Sequence, residues 1–155
     1  MEESFQVLVE IPQGSNEKFE YDEAAGEMKL NFVFRDLVFP FNYGFIPGTL
    51  GGDGDPLDAI VLSSAPIPSR TVIQCKAIGM LKTIDRGEVD DKIICVPLRD
   101  ELARKYHDVT DLPSETLAKW TKFYLEVARQ KKKVVEIIGL RNKQEALEEI
   151  KNSLI

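Results

Sequence analysis

Asp53-Gly54-Asp55-Pro56-Leu57-Asp58 sets three carboxylates within six residues, and Asp85, Asp90 and Asp91 form a second acidic cluster further along the chain. Like charges crowded together raise one another's pKa unless a cation sits among them, and hard divalent ions such as Mg²⁺ are the usual partners of oxygen ligands. Gly54 removes a side chain that would crowd its neighbours, and Pro56 restricts the backbone before Asp58, so the carboxylates are able to converge. If the fold joins the two clusters, the product is a site for several metal ions. Grouped metals handle phosphates by neutralising their oxygens and activating water.

Competing readings of the hexad are tested by register. Counted from Asp53, a calcium loop of the EF-hand type would need its third ligand at Leu57, and its glycine would stand sixth rather than second. An aspartyl-phosphate enzyme wants its nucleophile at the end of a buried strand, whereas Asp53 follows Thr49-Leu50-Gly51-Gly52, a loop. Aspartates that only cap solvent-facing turns are the plain alternative for the hexad taken by itself. One histidine, His107, and two separated cysteines supply no ligand set for a usual zinc site, so any metal is held by oxygen.

Charge and length bound the rest. A net charge of −6 removes the basic face that a nucleic-acid backbone requires, and no apolar run approaches the ~18 residues of a membrane span. Neither nucleic acid nor membrane is expected as a partner. The chain of 155 residues fits a single domain over 1–155 with a core of its own. Met1-Glu2-Glu3-Ser4 is acidic and lacks the apolar run of a signal peptide, and Cys75 and Cys95 lie in apolar runs as buried thiols. Both features predict a cytoplasmic protein.

The elements that must position these groups are mostly strands. Phe5, Val7, Val9 and Ile11 alternate on one face of a first strand, with Glu10 facing away from them, and Pro12 ends it. Lys18 to Tyr21 and Met28 to Phe34 read as a hairpin around Ala25-Gly26. Residues 36–57, rich in Gly and Pro, read as a long functional loop. Further strands are predicted at Ala59 to Ser63, Thr71 to Lys82 with a bulge at Gly79, Lys92 to Val96, and Val134 to Leu140.

Leu98 to Tyr106 reads as a short helix, and Pro113 suits the first turn of a longer one, in which Leu117, Trp120, Tyr124 and Val127 make a core-facing stripe. Asn142 and Glu145 predict a capping box for a last helix whose apolar side is Leu147, Ile150 and Leu154. The fold class is therefore α+β, mainly β: a small closed, OB-like β-barrel with two to three flanking helices. Barrels of that type often bind oligonucleotides, a rival reading that the acidic charge opposes.

Taken together, Val9-Glu10-Ile11-Pro12, Lys18-Phe19-Glu20-Tyr21-Asp22, Pro40-Phe41-Asn42-Tyr43-Gly44-Phe45-Ile46-Pro47, the hexad, and Asp85 through Lys92 leading to Val96-Pro97 resemble the soluble inorganic pyrophosphatases of family I. Order and spacing agree over most of the chain. The resemblance implies Mg²⁺-dependent hydrolysis of pyrophosphate to two orthophosphates by a metal-activated water, with several Mg²⁺ ions, Mn²⁺ as the alternative metal, and a homo-oligomer, often a hexamer. By the same resemblance Asp53, Asp58 and Asp90 hold activating metals and Asp85 holds one that arrives with substrate. Asp55 is the implied base for the attacking water, Lys18, Tyr43 and Lys92 are the phosphate ligands, and Glu10 and Glu20 are supporting acidic residues.

The departures from the family pattern are one-sided. Leu30-Asn31-Phe32 puts Phe32 where an Arg is usual after a Leu-Asp pair, Phe39 stands where a Tyr is usual and Arg86 where a Glu is usual, and Glu126-Val127-Ala128 lacks an expected Tyr-Lys pair. The metal carboxylates are intact while phosphate ligands are thinned out. Arg35, Arg86, Arg129 or the Lys131-Lys132-Lys133 run are the candidates to compensate, although a basic run at a helix end ordinarily faces solvent. Hydrolysis of another small phosphoanhydride, and a non-catalytic metal- or phosphate-binding relative, are the alternatives at this stage.

Overall fold

The first alternating run forms β1 (Phe5–Ile11), which pairs antiparallel with β4 (Asn42–Phe45) and with the start of the long β6 (Val72–Asp85). The computed structural model describes residues 3–155, so the expectation placed on Met1 and Glu2 lies outside the described residues. β4 pairs with β5 (Asp58–Val61), β5 runs parallel to β8 (Lys92–Pro97), and β8 pairs back onto β6. The ladder thereby returns to β1 and closes a ring, the expected small barrel. Beyond the ring, β6 continues to pair with β7 (Glu88–Val89) and β9 (Val135–Arg141), while β2 (Glu17–Asp22) and β3 (Glu27–Val33) form a separate hairpin.

Alternation along the ring strands feeds two cores. Ile60, Ile78, Ile94 and Val96 face Phe39, Phe41 and the stripe Trp120, Phe123, Tyr124 and Val127 of α2 (Thr116–Lys131). Their neighbours Ala59, Val61, Ala77, Ile93 and Cys95 face Val7, Val9 and the Ala146, Leu147 and Ile150 side of α3 (Lys143–Ser153). Cys75 and Cys95 are both buried and unpaired in this second core. The period of two puts one helix on each side of the same strands.

Several expectations are corrected. Residues 36–57 are not all loop: β4 lies within them, anchored by Asn42, whose fully buried amide accepts from Gln13 N (3.0 Å) and Ile67 N (2.9 Å) and donates to Val61 O (3.0 Å) and Ser63 Oγ (2.8 Å). These four bonds satisfy the side chain completely, which is why a polar residue is tolerated there. Ile11 does not share the face of Val7 and Val9. Register shifts between Val9 and Ile11, Glu10 is the extra residue, and Ile11 joins the α2 core.

The bulge expected at Gly79 falls at Ile78, because the register passes from Ala77 to Gly79. Within the expected helix at Leu98 to Tyr106, helical structure is confined to α1 (Leu102–Lys105), and Pro113 lies before α2, whose first residue is Thr116, with Pro113 O accepting from Thr116 N. The Asn142 side chain caps Glu145 N at 2.9 Å, as predicted. Leu154 leaves the helix, forms an isolated bridge with Thr49 and is exposed.

Gly44 marks the tightest approach in the ring: a Cβ there would sit 2.0 Å from Leu8 O, a backbone atom that cannot swing aside. Gly44→Ala is expected to lose about 3 kcal/mol or more, measured as a shift in urea midpoint, because the β1–β4 ladder must part to admit one methyl.

Candidate functional site

The β2–β3 hairpin, the hexad loop, the β6–β7 end and the second half of α2 surround a cavity of ≈ 530 Å³. Each wall contributes through a local device. Glu10 reaches the cavity because the β1 bulge re-aims it, and its Oε2 accepts from Tyr21 N at 2.8 Å. Lys18 and Glu20, two apart on β2, share a face and pair at 2.5 Å. Tyr43 sits between the buried Asn42 and Gly44.

In the hexad loop Gly54 takes a positive φ of 85°, Gly51 N donates to Asp55 O at 2.7 Å, and Asp53 Oδ1 accepts from Asp55 N at 3.0 Å. The loop is thus closed on its own backbone and presents Asp53 and Asp55 to the cavity before β5 carries Asp58 in. All ten residues singled out from the sequence, Asp53, Asp55, Asp58, Asp85, Asp90, Glu10, Glu20, Lys18, Tyr43 and Lys92, line this one cavity.

Register explains the centre of the site. Asp58 and Lys92 are direct partners across the parallel β5–β8 pair, and Lys92 Nζ lies 3.3 Å from Asp58 Oδ2 and 2.8 Å from Asp90 Oδ2. The ammonium is almost fully buried and also lies 5.8 Å from the Tyr43 ring and 5.6 Å from the Tyr124 ring. Its two carboxylates hold Lys92 protonated against a burial that alone would lower its pKa.

Burial, with Asp90 beside it, raises the Asp58 carboxyl despite Lys92. Asp90 is held low because Lys92 outweighs its own desolvation. Glu10 is pushed to about 7, first by burial and then by Asp58, against the lowering bond from Tyr21. Asp53 is also raised by burial, with Asp90 and Asp55 adding repulsion.

The two acidic clusters are brought together except for Asp91. That side chain turns into the protein, accepting from Thr83 N at 3.2 Å and Lys82 Nζ at 3.3 Å, and it belongs to the β6–β8 framework. Asp85 is neutralised by Lys133 Nζ at 2.6 Å and Arg86 Nε at 3.0 Å. Among the described residues no three carboxylates stand close enough to ligate one ion; ammonium and guanidinium groups provide their counter-charge. The donor chemistry nevertheless fits hard cations. All the carboxylates facing the cavity offer oxygen, and burial with mutual repulsion keeps Asp58 and Asp53 above the normal carboxylate range, a condition that added positive charge relieves.

As a cavity residue, Tyr124 escaped sequence reasoning, whereas two of the basic candidates did not. Tyr124 belongs to the α2 stripe and packs in the core, yet it lines the cavity, and its hydroxyl is buried with no hydrogen-bond partner among the described residues. The only hint was a tyrosine in a stripe that phenylalanine would have filled. Lys131 and Lys133 line the cavity rather than facing solvent, because Lys132 caps α2 in the left-handed conformation (φ 54°) and reverses the chain between them. Of the other basic candidates, Arg86 lines the cavity, while Arg129 pairs with Glu126 on the exposed helix face.

The family description "Inorganic pyrophosphatase" matches residues 7–154. The inorganic pyrophosphatase of Gluconobacter oxydans is 42% identical over 145 residues, covering 90% of this chain and 83% of that protein. That of Aquifex pyrophilus is 38% identical over 157 residues, covering 98% and 88%. The crystal structure of inorganic pyrophosphatase from Thermus thermophilus superposes with a TM-score of 0.91 at 35% identity, covering 97% of this chain and 89% of that one.

Two stability measurements test the electrostatics, both in chelator. Lys92→Met leaves Asp58 and Asp90 facing each other without their cation and is expected to cost about 3–5 kcal/mol in chemical denaturation. Glu10 has a folded pKa near 7 against 4.5 unfolded, so it binds its proton more tightly when folded. Its contribution is most favourable below the unfolded value and is lost as pH rises to 7. Glu10→Gln keeps an acceptor for Tyr21 N and is expected to stabilise the protein at pH 8 by about 1–3 kcal/mol, with no gain at pH 4.5.

Proposed function

This chain belongs to the inorganic pyrophosphatase family, and from that premise we propose that its cavity hydrolyses pyrophosphate to two orthophosphates by direct attack of water, with Asp55 as the base. The observation that carries the reading is the mixture of charge: carboxylates from the hexad loop, β5 and the β6–β7 end are interleaved with Lys18, Lys92 and Lys133 around one cavity. Such a cavity is complementary to an anion that brings metal cations with it.

Asp53, Asp58, Asp85 and Asp90 are the residues to hold Mg²⁺, with Mn²⁺ as the alternative, and Glu10 and Glu20 support the network. Bound Mg²⁺ would supply Lewis acidity that neutralises phosphate oxygens and lowers the pKa of water. The chain's own residues do the rest. Asp55 is held on the hexad loop by the Gly51–Asp55 backbone bond and takes the proton of the attacking water. Lys18 and Lys92 stabilise the negative charge of the phosphates, and the Tyr43 hydroxyl donates a hydrogen bond without changing net charge. Burial, with Asp58 adding to it, holds the Tyr43 phenol well above its ordinary pKa, so it stays a donor throughout the working range.

No helix among the described residues is long and apolar enough to cross a membrane. We place the protein in the cytoplasm, in keeping with its unpaired buried Cys75 and Cys95, and as a homo-oligomer, with the hexamer resting on family resemblance.

Phosphate release from pyrophosphate with Mg²⁺ tests the reading, with ATP and tripolyphosphate as rival substrates. Asp55→Asn is expected to lower kcat by about 10²-fold or more, the scale of a lost general base, while leaving the melting temperature unchanged. Faster release from ATP or tripolyphosphate than from pyrophosphate would reassign the substrate, and an undiminished Asp55→Asn rate would remove Asp55 from the mechanism.

A further inference from the structure

The side of the cavity where phosphate ligands are depleted is rebuilt from the end of α2. Asn31 is the extra residue of the β2–β3 bulge: Lys18 pairs with Phe32 and Phe19 with Leu30, leaving Asn31 without a partner across the hairpin. Its Oδ1 accepts from Lys131 Nζ at 3.2 Å and from Lys18 Nζ at 3.4 Å, so one neutral amide gathers two ammonium groups. The approach of α2 to this hairpin is fixed by Gln130, whose side chain accepts from Arg35 N (2.9 Å) and donates to Arg35 O (2.8 Å). That two-bond clamp lies one residue from Lys131 and ties the helix end to the chain just beyond β3.

Lys131 differs from its neighbours in charge balance. Lys18 is paired with Glu20 and Lys133 with Asp85, whereas Lys131 makes no ion pair among the described residues: its Nζ donates to Asn31 and lies 5.8 Å from the Phe32 ring, with Glu20 a more distant opposite charge. Burial first, then Lys18 and Lys133, bring its pKa down to about 8. A half-buried cation beside two others is a site that an anion completes. Were position 32 an arginine, a further cation would occupy the same corner. The uncharged Phe32 is what admits Lys131.

We propose that Lys131 is a substrate-binding residue that takes a phosphoryl oxygen of pyrophosphate jointly with Lys18, supplying from the end of α2 the cation that position 32 does not carry. The inference rests on the hydrolase reading of the cavity and extends it to a residue that reading does not use. Because Lys131 binds rather than activates, its removal weakens affinity more than turnover. Its removal also relieves repulsion, so the fold does not suffer.

Wild type, Lys131→Met and the double variant Lys131→Met/Phe32→Arg decide the matter. Lys131→Met is expected to raise KM for pyrophosphate about tenfold or more, the scale of one charge-assisted hydrogen bond, with a smaller change in kcat and an unlowered melting temperature. Calorimetric affinity for methylenediphosphonate with Mg²⁺ should fall by a similar factor, and Phe32→Arg in the Lys131→Met background should restore most of it. A Lys131→Met protein with unchanged KM and unchanged methylenediphosphonate affinity would overturn the proposal. Binding is read without turnover, so a wild type that binds the diphosphonate but releases no phosphate would count against the hydrolase reading while the Lys131 comparison still stands on affinity.

Discussion

Lys92 is a buried ammonium held between Asp58 and Asp90, and the rest of the site is arranged around the need to keep that charge compensated. An ion desolvated this far is tolerated only with well-placed partners, since the idealised penalty of burying it unpaired runs to many kcal/mol. Parallel pairing of β5 and β8 places Asp58 opposite Lys92, and the β6–β7 turn returns Asp90 to it through the Asp90 N to Thr83 O bond at 2.9 Å. The closed ring is therefore a means of holding three charged groups at fixed separations. A looser framework would let water in or let the carboxylates swing away.

The same constraint orders the walls of the cavity. Glu10, Asp58 and Asp53 are all raised by burial and by one another, so the acidic side lacks positive charge even with Lys92 in place. Lys131 makes no ion pair among the described residues and is only weakly offset by Glu20. The cavity thus carries two deficits of opposite sign, and a metal–pyrophosphate complex answers both at once. Free pyrophosphate would meet the carboxylates unshielded, and metal alone would leave Lys131 unsatisfied.

Much of this was legible in the sequence because the determinants are local. The alternation of Phe5 to Val9, the Asn142 cap and the spacing of the hexad depend on neighbours in the chain, and the structure agrees with all three. What was not legible depends on partners distant in sequence. The strand at Asn42–Phe45 exists because Asn42 reaches Gln13, Val61, Ser63 and Ile67, and no periodicity of its own announces it. The bulges at Glu10 and Asn31 are register events between strands, invisible along either strand alone. Asp91 looked equivalent to Asp90 in sequence, yet in the connection between β7 and β8 the two side chains diverge, and one became a cavity wall while the other became framework.

The uneven pattern of retention follows from side-chain mechanics. An aspartate that must approach a metal has two torsions and little reach, so its position is set by the backbone beneath it. Asp58 accordingly sits on a strand, and Asp53, Asp55 and Asp90 on connections locked by backbone hydrogen bonds. A phosphate oxygen can be met by a cation from any direction, and a lysine reaches across several ångströms on a flexible stem. Helix C-termini favour such cations through the macrodipole, and an αL cap such as Lys132 lets residues on both sides of it face inward. The basic half of the site can therefore migrate from β3 to the end of α2 with modest changes in sequence. The acidic half cannot move without rebuilding the ring.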